Sequence, residues 1–145
     1  YITKEDVLIM LIPFAISIVP LMLLRWRLNV LSLDDEEAES LGVDTKKLRL
    51  AVIICATLMS SASMAAGGMI GWVGLIVPHI ARMISGPDYT KMLPCSVLTG
   101  AIFLLIMDDL SRCLFAQEIP LGVLTAIIGA PFFLYLLFRG KKSFM

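Results

Sequence analysis

The chain has 145 residues, of which 59% are apolar and 17% charged, with 12 Lys plus Arg against 12 Asp plus Glu. Soluble domains hold roughly 45–50% apolar and about 25% charged residues, so this composition argues against an ordinary water-soluble domain. The balanced charge leaves no basic excess to hold a phosphate backbone, which argues against nucleic-acid binding. A membrane-spanning helix takes about 20 apolar residues, so about five spans would use roughly 100 residues and leave the rest for loops. The expected fold class is all-α: a polytopic helical membrane protein, with residues 1–145 as a single transmembrane region.

The chain opens on Tyr1, and its first apolar run follows Thr3, Lys4, Glu5 and Asp6 rather than a basic stretch. That start lacks the basic region and cleavage site of a secretory signal, and it suggests a piece of a longer polypeptide. Residues 7–24 carry no charge and form the first predicted span; Pro13 and Pro20 within it are tolerable where neighbouring groups re-satisfy the freed carbonyls. Arg25 and Arg27 then lead into a charged stretch, residues 31–49, that no bilayer would accept.

That stretch reads as two short helices. Ser32, Asp34 or Asp35 can cap the first, and Asp35, Glu36 and Glu37 in its opening turn favour the positive end of the helix dipole. Gly42 is placed to end it. Asp44 can cap a second short helix, in which Lys46, Lys47 and Arg49 lead into the membrane. The alternative is a merely solvated hairpin.

The second predicted span covers residues 50–66, and its small-residue run SSASMAAGG allows close helix approach. Gly71, Gly74 and Pro78 interrupt residues 69–84, predicting a short or broken third span. After a turn at residues 85–88, a fourth span runs over 93–107 and is expected to stop at Asp108 and Asp109, which are costly in hydrocarbon. The fifth covers 119–138 and stops at Arg139, Gly140, Lys141 and Lys142. With this topology Arg25, Arg27, Lys46, Lys47, Arg49, Arg82, Lys91, Arg139, Lys141 and Lys142 share one side, leaving Lys4 and Arg112 on the other. Basic residues near span ends are retained in the cytoplasm, so the 31–49 loop and the C-terminus are expected inside.

Few residues point to chemistry. Cys55, Cys95 and Cys113 form no CxxC pair and read as packing residues. His79, the one histidine, has no second ligand at i+3 or i+4, so a structural or hydrogen-bonding role outweighs a metal one. An intramembrane enzyme using Asp108, Asp109 or His79 is the reading from another class; adjacent aspartates on a helix point about 100 degrees apart, which does not favour sharing a proton. A membrane scaffold is a third. Gly122, Ala126 and Ala130, at intervals of four with Thr125 and Gly129 beside them, give the last span a small-residue face.

Glu36-Glu37-Ala38 followed by Gly42 resembles the coupling-loop signature of ABC importer membrane subunits. LNVLSLDDEEAESLGVDTKKLRL, IGWVGLIVPHIARMISGPDYTKMLP, DDLSR and EIPLGVLTAIIGAPFFLYLLFR, in that order, resemble consecutive motifs of the FecCD family of permeases. The resemblance implies the C-terminal half of a permease with about ten membrane helices, importing iron(III)-siderophores or, alternatively, haem or cobalamin. It implies that Asp35, Glu36, Glu37, Ala38, Glu39, Leu41 and Gly42 form the coupling helix. Asp44, Lys46 and Lys47 would belong to its short companion, over residues 44–48. Arg112 falls where the family has an external arginine that docks the substrate-binding protein. The face of Gly122, Ala126 and Ala130 would line the pathway or pack between helices. The implied partners are a second permease copy in a homodimer, two ATP-binding subunits, an external binding protein and the lipid bilayer of a bacterial inner membrane. No Walker-type phosphate loop occurs in this chain, so no cofactor is expected on it and ATP-Mg would sit on the partner subunit. Asp34, Gly68, Trp72 and the length of the 112–120 segment depart from the family pattern.

Overall fold

The computed structural model describes residues 3–114 and 119–143, the side chains of 142 and 143 excepted. Part of the 112–120 segment, Glu118 of the last motif and the Lys142 side chain thus lie outside the described residues. The described residues form six helices: α1 (Lys4–Val30), α2 (Asp35–Ser40), α3 (Thr45–Gly67), α4 (Val73–Ser85), α5 (Tyr89–Leu114) and α6 (Leu121–Ser143). Among them there is no strand, as the composition predicts. In α1, α3, α5 and α6 the helix is long and apolar enough to cross a membrane, whereas α4 has 13 residues and is not.

Local chemistry explains most ends. Thr3 and Asp6 form a reciprocal capping box at the start of α1: the Asp6 amide donates to Thr3 Oγ1 at 3.4 Å and the Thr3 amide donates to Asp6 Oδ2 at 2.9 Å. The helix continues six residues beyond the predicted end of the first span, through Arg25 and Arg27 to Val30. At its far end α3 stops at Gly68, whose φ of 77° a side chain would resist. Trp72 then adopts φ 66° as the N-cap of α4, an unusual conformation for a bulky residue. These two left-handed positions delay the helix to Val73, so residues 69–84 give a short helix, unbroken through Pro78, rather than a full fifth span.

Two predicted boundaries are corrected. Residues 44–48 are not a separate helix: Thr45 to Leu48 are the first turn of α3 itself, because Asp44 caps a helix that never breaks before the membrane segment. Asp108 and Asp109 do not end their helix, since α5 runs on to Leu114. The Asp108 carboxylate accepts from Arg112 Nε at 3.0 Å one turn later, with side chains 40% and 68% exposed, so charge ends the hydrophobic segment and not the helix.

The chain forms two compact units. The first comprises Tyr1–Gly67 and Pro87–Pro94, in which α1 packs along α3 and α2 rests on α3. The second comprises Gly68–Gly86 and Cys95–Met145. In it α4 and α6 pack together with no room to spare. A Cβ on Gly122 would strike the Met69 carbonyl oxygen, and one on Gly129 would strike the Cβ of Trp72 and lie 2.7 Å from its Cγ. The Trp72 ring sits 5.7 Å from that of Phe133, and His79 meets Phe132 edge-on at 6.1 Å. Non-helical backbone at membrane depth must be covered by protein or water, and here α6 approaches the Met69 carbonyl and the Trp72 side chain while the Met69 side chain stays exposed. Buried Leu124, Thr125 and Gly129 lie on this side of α6, while Ala126 and Ala130 are half-buried. The closest approach therefore runs through Gly122, Thr125 and Gly129. Thr125 keeps its hydroxyl satisfied by donating to the carbonyls of Leu121 and Gly122 at 2.9 and 3.1 Å.

Candidate functional site

The polar end of the first unit carries the densest group of exposed charges, and its backbone is tightly specified. Asp34 is extended and stands at the N-cap of α2, where its carbonyl accepts the first helical bond from the Ala38 amide at 3.0 Å, but its side chain makes no capping bond, so the expected side-chain cap is not formed. At the other end the Gly42 amide donates to the Glu39 carbonyl at 3.0 Å and the Val43 amide to the Ala38 carbonyl at 3.2 Å. These paired bonds are a Schellman motif, which requires the left-handed conformation that Gly42 adopts at φ 77°. Only Val43 and Asp44 separate Gly42 from α3.

Burial divides this group cleanly. Ala38 is fully buried, and Leu28 and Val30 at the end of α1 and Thr45 and Leu48 at the start of α3 are buried. Asp35, Glu36, Glu37, Glu39, Lys46 and Lys47 are exposed, and Leu41 is 61% exposed beside the carboxylates. The helix thus seats a single methyl group inward and presents an acidic face with an apolar tip outward. Arg49 reaches back to Asp35 at 3.5 Å, an exposed pair of the kind that contributes about 0–1 kcal/mol, so α2 is positioned mainly by its C-terminal Schellman motif and by Ala38.

Asp44 accepts from the Lys47 amide at 3.2 Å, and this bond is the main reason its carboxyl lies below the usual range. The Lys47 ammonium also sits 3.5 Å away.

A second support was not predicted. Asn29 Nδ2 donates to Asp88 Oδ1 at 2.8 Å, and Asn29 Oδ1 accepts from the Tyr89 amide at 2.8 Å. One amide side chain thereby ties the end of α1 to the start of α5. Arg25 adds a long bond to the Thr90 carbonyl at 3.4 Å. Asp88 also caps α5 by accepting from the Thr90 amide at 3.0 Å. The Asn29 bond, then those from Thr90, hold the Asp88 carboxyl below its ordinary value of 3.8. A lowered folded-state pKa means that the tie stabilises the fold above the unfolded value and is lost as pH falls through the folded one. We expect the intact protein to lose stability on acidification below about pH 4, with Asp88→Asn showing a shallower slope there in denaturation followed against pH.

Elsewhere, Arg112 is engaged with Asp108 as described, and among the described residues no group of His, Cys, Asp and Glu is arranged to hold a metal ion. His79 packs on Phe132 and lines a cleft between α4 and α6.

Comparison with known proteins gives this arrangement a family. The chain is 42% identical over 137 residues to the "Probable iron chelatin transport system permease protein" of Helicobacter pylori, covering 94% of this chain and 42% of that protein. It is 43% identical over 141 residues to the molybdate import system permease protein MolB of Haemophilus influenzae, covering 97% of this chain and 42% of that one. Other relatives are named for import of cobalamin, Fe(3+)-citrate and hemin. A solved metal-chelate type ABC transporter in an inward-facing conformation superposes with a TM-score of 0.89 at 43% identity, over 94% of this chain and 44% of that one. The chain spans less than half the length of the curated relatives it matches. The model of the FecCD transport family matches residues 1–139, and the chain belongs to that family.

Proposed function

We propose that the chain is part of the membrane-spanning permease subunit of a binding-protein-dependent ABC importer whose cargo is an iron(III)-siderophore complex. The observation that carries the reading is α2: a short acidic helix, closed at its C-terminal end by the Gly42 turn and seated by Ala38, at the polar end of a membrane hairpin in a chain of this family. An exposed helix that must transmit force needs a rigid attachment, and two residues between Gly42 and α3 leave little slack. A push on α2 is therefore passed to α3 and, through their packing, to α1.

In this reading Asp35, Glu36, Glu37, Glu39, Leu41, Lys46 and Lys47 meet the ATP-binding subunit, while Ala38, Gly42 and Asp44 hold them in place. ATP-Mg is bound and hydrolysed by that partner, two copies of which serve a permease homodimer. Arg112, on the far side of the inner membrane from a cytoplasmic C-terminus, takes part in docking the external binding protein, exchanging Asp108 for a carboxylate of that partner. Support for the cargo comes from relatives named for iron chelatin and Fe(3+)-citrate. Haem or cobalamin is the second cargo class, since relatives named for hemin and cobalamin lie in the same family.

The test uses the full-length permease with its ATP-binding subunit in lipid. Reversing two charges with Glu36→Lys and Glu37→Lys should lower binding-protein-stimulated ATP hydrolysis at least about tenfold, matching a typical coupling energy, with the permease still folded. Unchanged stimulation in the double variant would remove α2 from the coupling path. Uptake assays with an iron(III)-siderophore, haem, cobalamin and molybdate then decide the cargo.

A further inference from the structure

The second unit holds a cleft of about 410 Å³ lined by His79, Met83, Leu136, Arg139 and Gly140. Contacts along α4 and α6 set its place. Met69 meets Gly122, Trp72 meets Gly129 and Phe133, His79 meets Phe132, and the cleft joins residues 79 and 83 to residues 136–140. Positions rise together on both helices, so α4 and α6 run in the same direction and their C-terminal ends share one side. Arg139 stands where the candidate membrane span of α6 closes, at Lys141.

Charge at this end has one sign. Arg82 lies one turn on from His79, and Lys141 follows Arg139. Among the described residues neither arginine has a carboxylate partner. The described carboxylates of this unit are Asp108 and Asp109, and Ser111, whose hydroxyl donates to the Ile119 carbonyl at 2.9 Å, ties that part of α5 to the opposite end of α6. From Leu121 to Arg139 the helix rises about 27 Å, far beyond the reach of a salt bridge. The carbonyl ends of α4 and α6 oppose an anion by about half a charge each, against three full positive charges from Arg82, Arg139 and Lys141. Met83 and Leu136 give the cleft apolar walls beside this charge.

We infer that this cleft binds an anionic phospholipid, its phosphate on Arg139 and His79 and the start of an acyl chain against Met83 and Leu136. An apolar wall that continues a cationic rim across the membrane boundary matches an amphiphile, and a free anion would use only the rim. Gly140 leaves the mouth open to the headgroup.

The test is lipid retention by the intact permease complex, purified from vesicles of equal phosphatidylglycerol and phosphatidylcholine and examined by native mass spectrometry. Wild type should keep phosphatidylglycerol in preference to phosphatidylcholine, and Arg82→Gln with Arg139→Gln should weaken that preference by about fivefold for each basic residue removed. Met83→Phe with Leu136→Phe, which fills the wall and leaves the cations, should also release the lipid. Should the arginine pair fail to fold, this second variant decides the matter alone. Millimolar inorganic phosphate should not displace the lipid. Equal retention in the folded variants, displacement by phosphate, or a cleft found occupied by another part of the complex would each overturn the assignment.

Discussion

Replacing Gly129 by alanine should destabilise the intact protein by about 1–3 kcal/mol, the usual cost of forcing extra atoms into a filled site. In an ordinary helix interior the same change is worth about 0.5–1 kcal/mol in the opposite direction, because alanine loses less entropy on folding. The sign reverses here because the new Cβ would lie against Trp72, 2.7 Å from Cγ and 3.2 Å from Cδ2. The indole has little freedom to retreat, since Trp72 caps α4 in a left-handed conformation and its ring already faces Phe133. Gly100→Ala supplies the control within the same unit: its Cβ would meet Val77 Cγ1 at 3.5 Å, an ordinary contact, so it should be neutral or stabilising. Thermal unfolding of both variants in detergent micelles separates the cases. Equal midpoints for the two would show that the notch for Trp72 does not exist.

Enlarging Ala38 should have the greater functional effect. Ala38 is the fully buried residue of a six-residue helix too short to persist alone, so its seat holds the surrounding carboxylates in register. Ala38→Leu adds three carbons where none fit, at a cost of about 1–3 kcal/mol concentrated on α2. If α2 transmits force, ATPase stimulation should fall by about fivefold to a hundredfold, since 1.4 kcal/mol corresponds to a factor of ten. Global stability and membrane insertion should change little, because the long helices do not depend on α2. Glu39→Gln, an exposed change on the same helix, should leave folding intact and reduce stimulation far less. Full stimulation in a folded Ala38→Leu protein would show that the seat of α2 is irrelevant to coupling.

Hydropathy located the long helices and the polar connection between α1 and α3, because the bilayer selects composition over about 20 residues at a time. It was less informative about where helices end. Arg25 and Arg27 can sit in a continuing helix with their heads in water, and Asp108 is neutralised by Arg112 four residues later, so neither pair breaks a backbone. Asp44 was legible as a cap, but whether its helix stops or continues into the membrane depends on the chain that follows. Gly42 was legible as a terminator because few other residues adopt its φ. Nothing local announces the bond between Asn29 and Asp88. Each residue suits a helix end on its own, and their pairing exists only through the packing of α1 with the 87–94 segment. On α6 several small residues lie side by side, and which of them make the closest approach depends on the element that packs on them: Gly122 and Gly129 meet Met69 and Trp72, while Ala126 and Ala130 are half-buried.

The Asn29–Asp88 bond also sets an order of events during synthesis. The two residues are 59 positions apart, so at about 5–20 residues per second Asn29 emerges roughly 3–12 s before its partner. Over that interval α1 and α3 can insert and pair while the amide at the end of α1 is held only by water. The bond then closes when the turn before α5 arrives, fastening a hairpin that has already formed.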